Sequence, residues 1–307
     1  MWTGSRGRRS GFVLAAVLMI SVVLIAATTG FAWFARNQLR RVEGERAALQ
    51  SRNLAFLTAF FVARGLTADQ GEYDALDKPQ FQPLAFPAEN AVVSLRLTPL
   101  DHALPLNALF LPDGATLRNE LTHPWEELWK RLGRGELSEV VLDFLDADGS
   151  PRLGGGERDA FLNRTLADLS ELLLCPGVTQ KVLEGPGGPS KKGLRDFCTV
   201  WCEGKINVNT VSEDVLTVLH DGFTMDVAEA LVAYRREHPF KKLEDFFDAP
   251  AFPQEATGTV MNLVGVKSVY FRLNVEIWWM GGRSWRYDVI LKKDNRTVSV
   301  AAWEERY

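Results

Sequence analysis

Asp143-Phe144-Leu145-Asp146-Ala147-Asp148-Gly149, followed by Glu157 and Asp159, gathers carboxylates around a Gly-rich loop. Several hard oxygen donors on a flexible turn are the ligand set that Ca²⁺ takes. The stretch is not an EF-hand, because the regular ligand spacing and the closing bidentate Glu are missing. A solvated acidic turn at a helix end has the same composition, and the residues alone leave both readings open. Catalysis by paired carboxylates is disfavoured, since no His, nucleophile or oxyanion-hole pattern accompanies them. Cys198 and Cys202 lack the second half of a zinc site, and His102, His123, His220 and His238 are scattered. For Cys175, Cys198 and Cys202 a structural disulfide and plain buried thiols both remain open.

The elements that must carry this loop begin with a helix. No charge occurs between Arg9 and Arg36, and residues 12–35 exceed the roughly 20 helical residues that a bilayer core requires. Arg6, Arg8 and Arg9 would hold the N-terminus in the cytoplasm, leaving everything after Arg36 in the periplasm or its equivalent. Ala26-Ala27-Thr28 offers only a weak cleavage site after an apolar core that is already long for a signal peptide. Apolar positions at helical spacing (Leu39, Val42, Leu49, Leu54, Leu57, Phe60) carry the pattern on to Leu66. That predicts one helix of roughly 80 Å, half in lipid and half against a globular domain.

The remainder mixes both periods. Residues 67–90 read as a loop, and Ala91–Leu97 alternates as a strand. Trp125, Leu128, Trp129 and Leu132 share a helical face, followed by helical Glu139–Leu145 and Thr165–Leu174. A short strand is expected near 197–201. Thr210 with Glu213 fits a capping box that opens a helix, and further helices are expected at Asp226–Arg236 and Leu243–Phe247. Residues 266–303 read as three antiparallel strands turning at Gly281-Gly282 and Asp294-Asn295. The expected class is α+β: the first strand and the last three in one sheet on the long helix, with a helical block inserted between them. A net charge of −4 and a pI near 5.7 disfavour non-specific nucleic-acid binding.

The basic segment before Gly11, then Phe12 and a membrane-length helix, resembles a type IV prepilin-like precursor, although an uncleaved signal anchor has the same gross layout. Over nearly the whole chain the residues resemble the K-type minor pseudopilins of type II secretion. The likeness runs through Leu104-Pro105-Leu106-Asn107-Ala108-Leu109, Val141 to Asp148, and Leu169 to Leu174 with Pro176-Gly177-Val178. It continues in Ile206-Asn207-Val208-Asn209-Thr210 and Ser268 to Leu273. The resemblance implies a pilin-like fold with a large helical insertion and no enzymatic activity. The implied divisions are a leader at 1–11, a transmembrane part at 12–35, helix and first strand at 36–106, insertion at 107–262 and closing strands at 263–307. It further implies cleavage by a prepilin peptidase between Gly11 and Phe12, with methylation of the new N-terminus. The fifth mature residue is Ala16 where pilins typically carry Glu, which suits a subunit at the fibre end. A single-pass inner-membrane protein is implied, with I-, J- and H-type pseudopilins, the secretion machinery, the peptidase and lipid as partners. The likeness also favours structural Ca²⁺ at Asp143, Asp146, Asp148, Glu157 and Asp159.

Two other readings compete. One is a minor pilin of a type IV pilus. The other is a membrane-anchored helix-hairpin-helix DNA receptor, which the helices around Asn207–Phe246 resemble. Its phosphate-binding turn would be His220-Asp221-Gly222-Phe223-Thr224, where one Gly and an acidic residue replace the expected Gly-x-Gly. Nucleic acid is therefore not an expected partner.

Overall fold

The opening helix runs unbroken because no Pro lies between Arg8 and Ala68 and Ala, Leu, Arg, Glu and Gln recur in that stretch. In this computed structural model, which describes residues 8–187, 192–295 and 297–306, it is the continuous helix α1 (Arg8–Ala68). Residues 1–7 of the expected leader lie outside the described residues. Among the described residues α1 is the one helix long and apolar enough to cross a membrane. Hydroxyls of its apolar stretch bond back within the helix: Ser21 Oγ donates to Val17 O (2.8 Å), Thr28 Oγ1 to Leu24 O (2.9 Å) and Thr29 Oγ1 to Ile25 O (2.7 Å). Such back-bonding removes the cost of a free hydroxyl in hydrocarbon. The chain divides into two compact units, Met1–Leu57 and Thr58–Tyr307.

In the second unit, β1 (Leu84–Ala88) and β2 (Ala91–Pro99) form a hairpin, and β3 (Leu104–Pro105) follows. Helices α2 (Asn119–Arg131), α3 (Ser138–Leu145), α4 (Gln180–Glu184) and α5 (Leu194–Phe197) come next, with a 3-10 turn at Leu169–Leu174. Strands β4 (Cys198–Thr199) and β5 (Ile206–Asn207) lead to α6 (Glu213–Leu219), α7 (Met225–Glu237), α8 (Leu243–Phe247) and α9 (Thr257–Val260). Then come β6 (Val264–Gly265), β7 (Tyr270–Trp279), β8 (Ser284–Lys293) and β9 (Val298–Arg306).

The main sheet is antiparallel, in the order β1-β2-β7-β8-β9. Pairing of β2 with β7 (Val93 opposite Ile277, Leu97 opposite Leu273) makes everything between Pro99 and Tyr270 an insertion into the sheet. Period-2 alternation buries one face, including Val93, Leu97, Leu273, Val275, Tyr287 and Val289. The inserted region has its own core, built on Trp125, Trp129, Phe144, Phe197, Phe223 and Phe246. Two short parallel pairs tie its loops: β3 with β4, and β5 with β6.

Local departures from the expectations have physical causes. The stretch read as a loop contains β1, whose Pro87 is tolerated because β1 is an edge strand. Thr165–Leu174 is helical only from Leu169, and as a 3-10 turn capped by Asp168, which accepts from Ser170 N at 2.8 Å. The cap of α6 is Ser212, not Thr210: Ser212 Oγ accepts from Val215 N at 3.2 Å. Thr210 is committed to the preceding turn, where its N–H and hydroxyl both donate to Asn207 O.

Candidate metal centre

Helix α3 points its apolar face (Val141, Leu142, Phe144, Leu145) into the insertion core, which fixes the orientation of its C-terminal turn. Asp143 and Asp146, three residues apart, lie on one side of that turn and are both fully buried. The chain then leaves through 147–153 and returns at Gly154-Gly155-Gly156. The return is close: a Cβ on Gly155 would lie 2.1 Å from Asp143 Oδ2, so only glycine fits. Gly156 N donates to Asp143 Oδ2 at 2.8 Å, and Arg152 N donates to the same carboxylate at 3.1 Å. The return brings in Glu157, so that Asp143, Asp146 and Glu157 offer oxygens within 4.8 Å of one another.

Arg152 supplies the positive charge for this group. Its Nη1 donates to Asp143 Oδ1 at 3.0 Å and also to Asp146 Oδ2, while Nη2 donates to Ala115 O. The guanidinium lies 5.6 Å from the centroid of the Phe110 ring. Neutralisation is incomplete. Asp146 Oδ1, Glu157 Oε1 and Asn163 Oδ1 are buried without a hydrogen-bond partner. Burial pushes the Asp146 carboxyl above its ordinary range despite Arg152. Glu157 is raised too, by burial and then by the negative charge of Asp146 and Asp143. Of the five sequence candidates, the structure brings these three together. Asp148 and Asp159 are exposed, and Asp148 Oδ1 instead accepts from Ser150 N at 2.8 Å. Sequence reasoning missed Arg152, although it is the lone base between Asp143 and Glu157.

A second polar group is buried where the insertion joins the sheet. Asp101 Oδ2 accepts from Val269 N (2.9 Å) and Tyr270 N (2.8 Å), at the start of β7. Asp74 Oδ2 accepts from Ser268 N at 3.0 Å. Asn207 Nδ2 donates to Asp74 O and Ser268 Oγ, both at 2.9 Å, while its Oδ1 accepts from Asn209 N at 2.9 Å. Asn209 clamps Phe240 through both its N–H and its carbonyl. Asn107 does the same for Leu166, with a further bond to Val200 O. Asn107, Asn207 and Asn209 are therefore loop staples. Burial pushes Asp101 up to about 7.

The remaining candidates belong to other elements. All three cysteines are free and buried; burial pushes Cys175 up to about 12 and raises Cys198 and Cys202 as well, which makes them inert thiols. In the hairpin turn, His220 Nδ1 accepts from Gly222 N at 3.0 Å, and Asp221 Oδ1 lies 3.5 Å from His123 Nε2. A Cβ on Gly222 would press on Pro253 at 2.9 Å, so this glycine serves close packing. Gly11 is helical backbone in α1, and Phe12 is exposed.

Residues 206–267, which run from β5 to just beyond β6, match the family model described as type II secretion system (T2SS), protein K. Type II secretion system protein K of Dickeya chrysanthemi is 25% identical over 151 residues, covering 46% of this chain and 41% of that protein. Its counterpart from Pectobacterium carotovorum subsp. carotovorum is 24% identical over 156 residues, covering 46% and 45%. The chain thus matches under half the length of these curated relatives. A chain in the crystal structure of the GspK-GspI-GspJ complex from the enterotoxigenic Escherichia coli type 2 secretion system superposes with a TM-score of 0.67. That match covers 87% of this chain and 99% of that one, at 17% identity. By these comparisons the chain is similar to the type II secretion protein K family. At 17% identity the structural likeness is one of fold: a long N-terminal helix, an antiparallel sheet and a helical insertion. The span matched by the protein K model is the part of the insertion that β5 and β6 close and that Asn207 and Asn209 staple.

Proposed function

We propose that this chain is a non-enzymatic minor pseudopilin at the tip of the type II secretion pseudopilus, where it helps initiate assembly and protein export across the outer membrane. The carrying observation is the build itself, a pilin-like sheet interrupted between β2 and β7 by an insertion with its own core. A subunit repeated along a fibre must accept neighbours on every side, and so bulky an insertion suits an end position. The uncharged stretch of α1 supports a single-pass inner-membrane anchor with a cytoplasmic N-terminus and a periplasmic globular domain. Its association with other pseudopilin helices would rest on van der Waals packing within lipid. Similarity to a chain from a complex with GspI and GspJ supports I- and J-type partners, with an H-type subunit completing the set.

On this reading a prepilin peptidase cuts between Gly11 and Phe12, and Phe12 is then methylated. The acidic loop would hold a structural Ca²⁺ through Asp143, Asp146 and Glu157, with Asp148 and Asp159 on the same exposed stretch. The fit rests on an all-oxygen donor set and on the orphaned Asp146 Oδ1 and Glu157 Oε1. Bound there, the ion would cross-link the end of α3 to the glycine return. The test is the intact mass after co-expression with and without a prepilin peptidase, followed by co-purification with I- and J-type subunits. Loss of residues 1–11, one added methyl group and a stable ternary complex are expected. An unchanged N-terminus with no complex would leave a signal-anchored helical protein.

A further inference from the structure

We propose that Arg152 is a resident counter-ion of the Asp143/Asp146/Glu157 group, and that a divalent cation and the Arg152 guanidinium compete for the same carboxylates. The inference rests on the calcium reading above and adds to it what the cation must displace.

Three observations carry it. Arg152 bonds Asp143 and Asp146 together through a single nitrogen, Nη1, from a position on the loop that the same carboxylates organise. Asp146 is fully buried, yet its Oδ1 has no partner, and Oε1 of half-buried Glu157 has none either. One guanidinium therefore leaves acceptors that an ion with six to eight oxygen ligands would use. Two cations cannot share these carboxylates at contact distance without strong mutual repulsion in a poorly solvated site. Leu153, the next residue, is 99% exposed, so its side chain does not anchor the loop. The anchors of Arg152 are the two aspartates, Ala115 O and the face of the Phe110 ring. Cation binding would release Arg152 into solvent, while Gly156 N keeps its bond to Asp143.

The exchange has a readout that a conventional ordered calcium loop would reverse. In the full-length chain in detergent, trypsin cleavage after Arg152 is expected to be slow in EGTA and at least several-fold faster in millimolar CaCl₂. Arg152→Gln is expected to bind calcium about tenfold or more tightly than wild type by calorimetry, and to show a larger rise in Tm on adding calcium. If that variant folds too poorly for calorimetry, the wild-type cleavage rates decide alone. Calcium binding to wild type that leaves the Arg152–Leu153 bond equally resistant, or protects it, would overturn the exchange while leaving the calcium reading standing. Equal or weaker binding by Arg152→Gln would do the same. No calcium binding by either protein would sink both ideas together.

Discussion

Asp101 and Asp143 are both buried carboxylates, at 1% and 0% exposure, yet they are neutralised by different means. Asp101 sits where β2 leaves the sheet and receives two backbone N–H groups from the strand that re-enters it. With Asp74, Asn207 and Ser268 it belongs to a knot whose hydrogen bonds join residues far apart in sequence. Asp143 also takes backbone N–H groups, from Arg152 and Gly156, but it and Asp146 sit at a helix end against an arginine side chain from their own loop, and Asp146 keeps an acceptor atom left over. Backbone donors are locked by the fold and cannot leave, so the first arrangement is closed. A side-chain cation on a glycine-rich loop can be exchanged, so the second is open. The comparison teaches that burial alone does not mark a site; spare acceptors facing a removable partner do.

The contrast can be broken most severely at the closed end. Asn207→Ala strips partners from Asp74 O, Ser268 Oγ and Asn209 N, and at about 1–3 kcal/mol for each buried group left bare the total is about 4–5 kcal/mol. Urea denaturation of the solubilised chain would measure it, and a loss under about 1 kcal/mol would mean that water replaces the knot.

Next is the pH response of Asp101. Its folded pKa, pushed up to about 7 by burial, exceeds the ordinary carboxylate value, so the folded chain holds a proton that the unfolded chain releases. That contribution is fully present below about pH 4 and is lost as pH rises to about 7. Asp74 is raised too and acts in the same direction, and the Cys202 thiol beside Asp101 stays neutral throughout. The expected decline is on the order of 3 kcal/mol across this window, and Asp101→Asn, which keeps an acceptor oxygen, should flatten most of it. A pH-stability profile that is the same for both proteins would refute the assignment.

Gly155→Ala probes the open end. The added methyl meets Asp143 Oδ2, so the loop must shift, at a cost of about 2 kcal/mol. Calcium affinity should fall with it, whereas the same substitution at Gly149, where nothing lies within 4 Å, should change neither. The smallest effect is expected at the α6 cap: Ser212→Ala should cost about 1 kcal/mol, measured as a denaturation midpoint. Thr210→Ala should cost less, because its hydroxyl adds one bond to a turn that backbone bonds already close.

Legibility in the sequence followed the range of the interactions. The long helix, α7, α8 and the three closing strands were readable because periodicity and turn residues act within a few positions. β1 was not. It carries Pro87 and turns back through Glu89, a non-glycine residue at φ 47 that gives no turn signal, and it exists only because β2 offers an edge. The α6 cap was misplaced by two residues because Thr210 competes for a turn that Asn207 organises from outside the helix. Of the acidic cluster, composition supplied the ligand type, whereas the membership of Asp143, Asp146 and Glu157 depended on where the glycine return passes.

By itself the sequence determined the membrane-length helix, the sheet's alternation and the presence of an oxygen-rich loop, because hydropathy and side-chain chemistry are properties of residues and their neighbours. Only the tertiary structure decided which strands enclose the insertion, which asparagines staple it and which base faces the carboxylates. Those outcomes depend on contacts such as Asn207 with Asp74 and Asp101 with Tyr270, between groups separated by more than a hundred residues. No local pattern encodes such a contact; it forms because burying those polar groups anywhere else would leave them without partners.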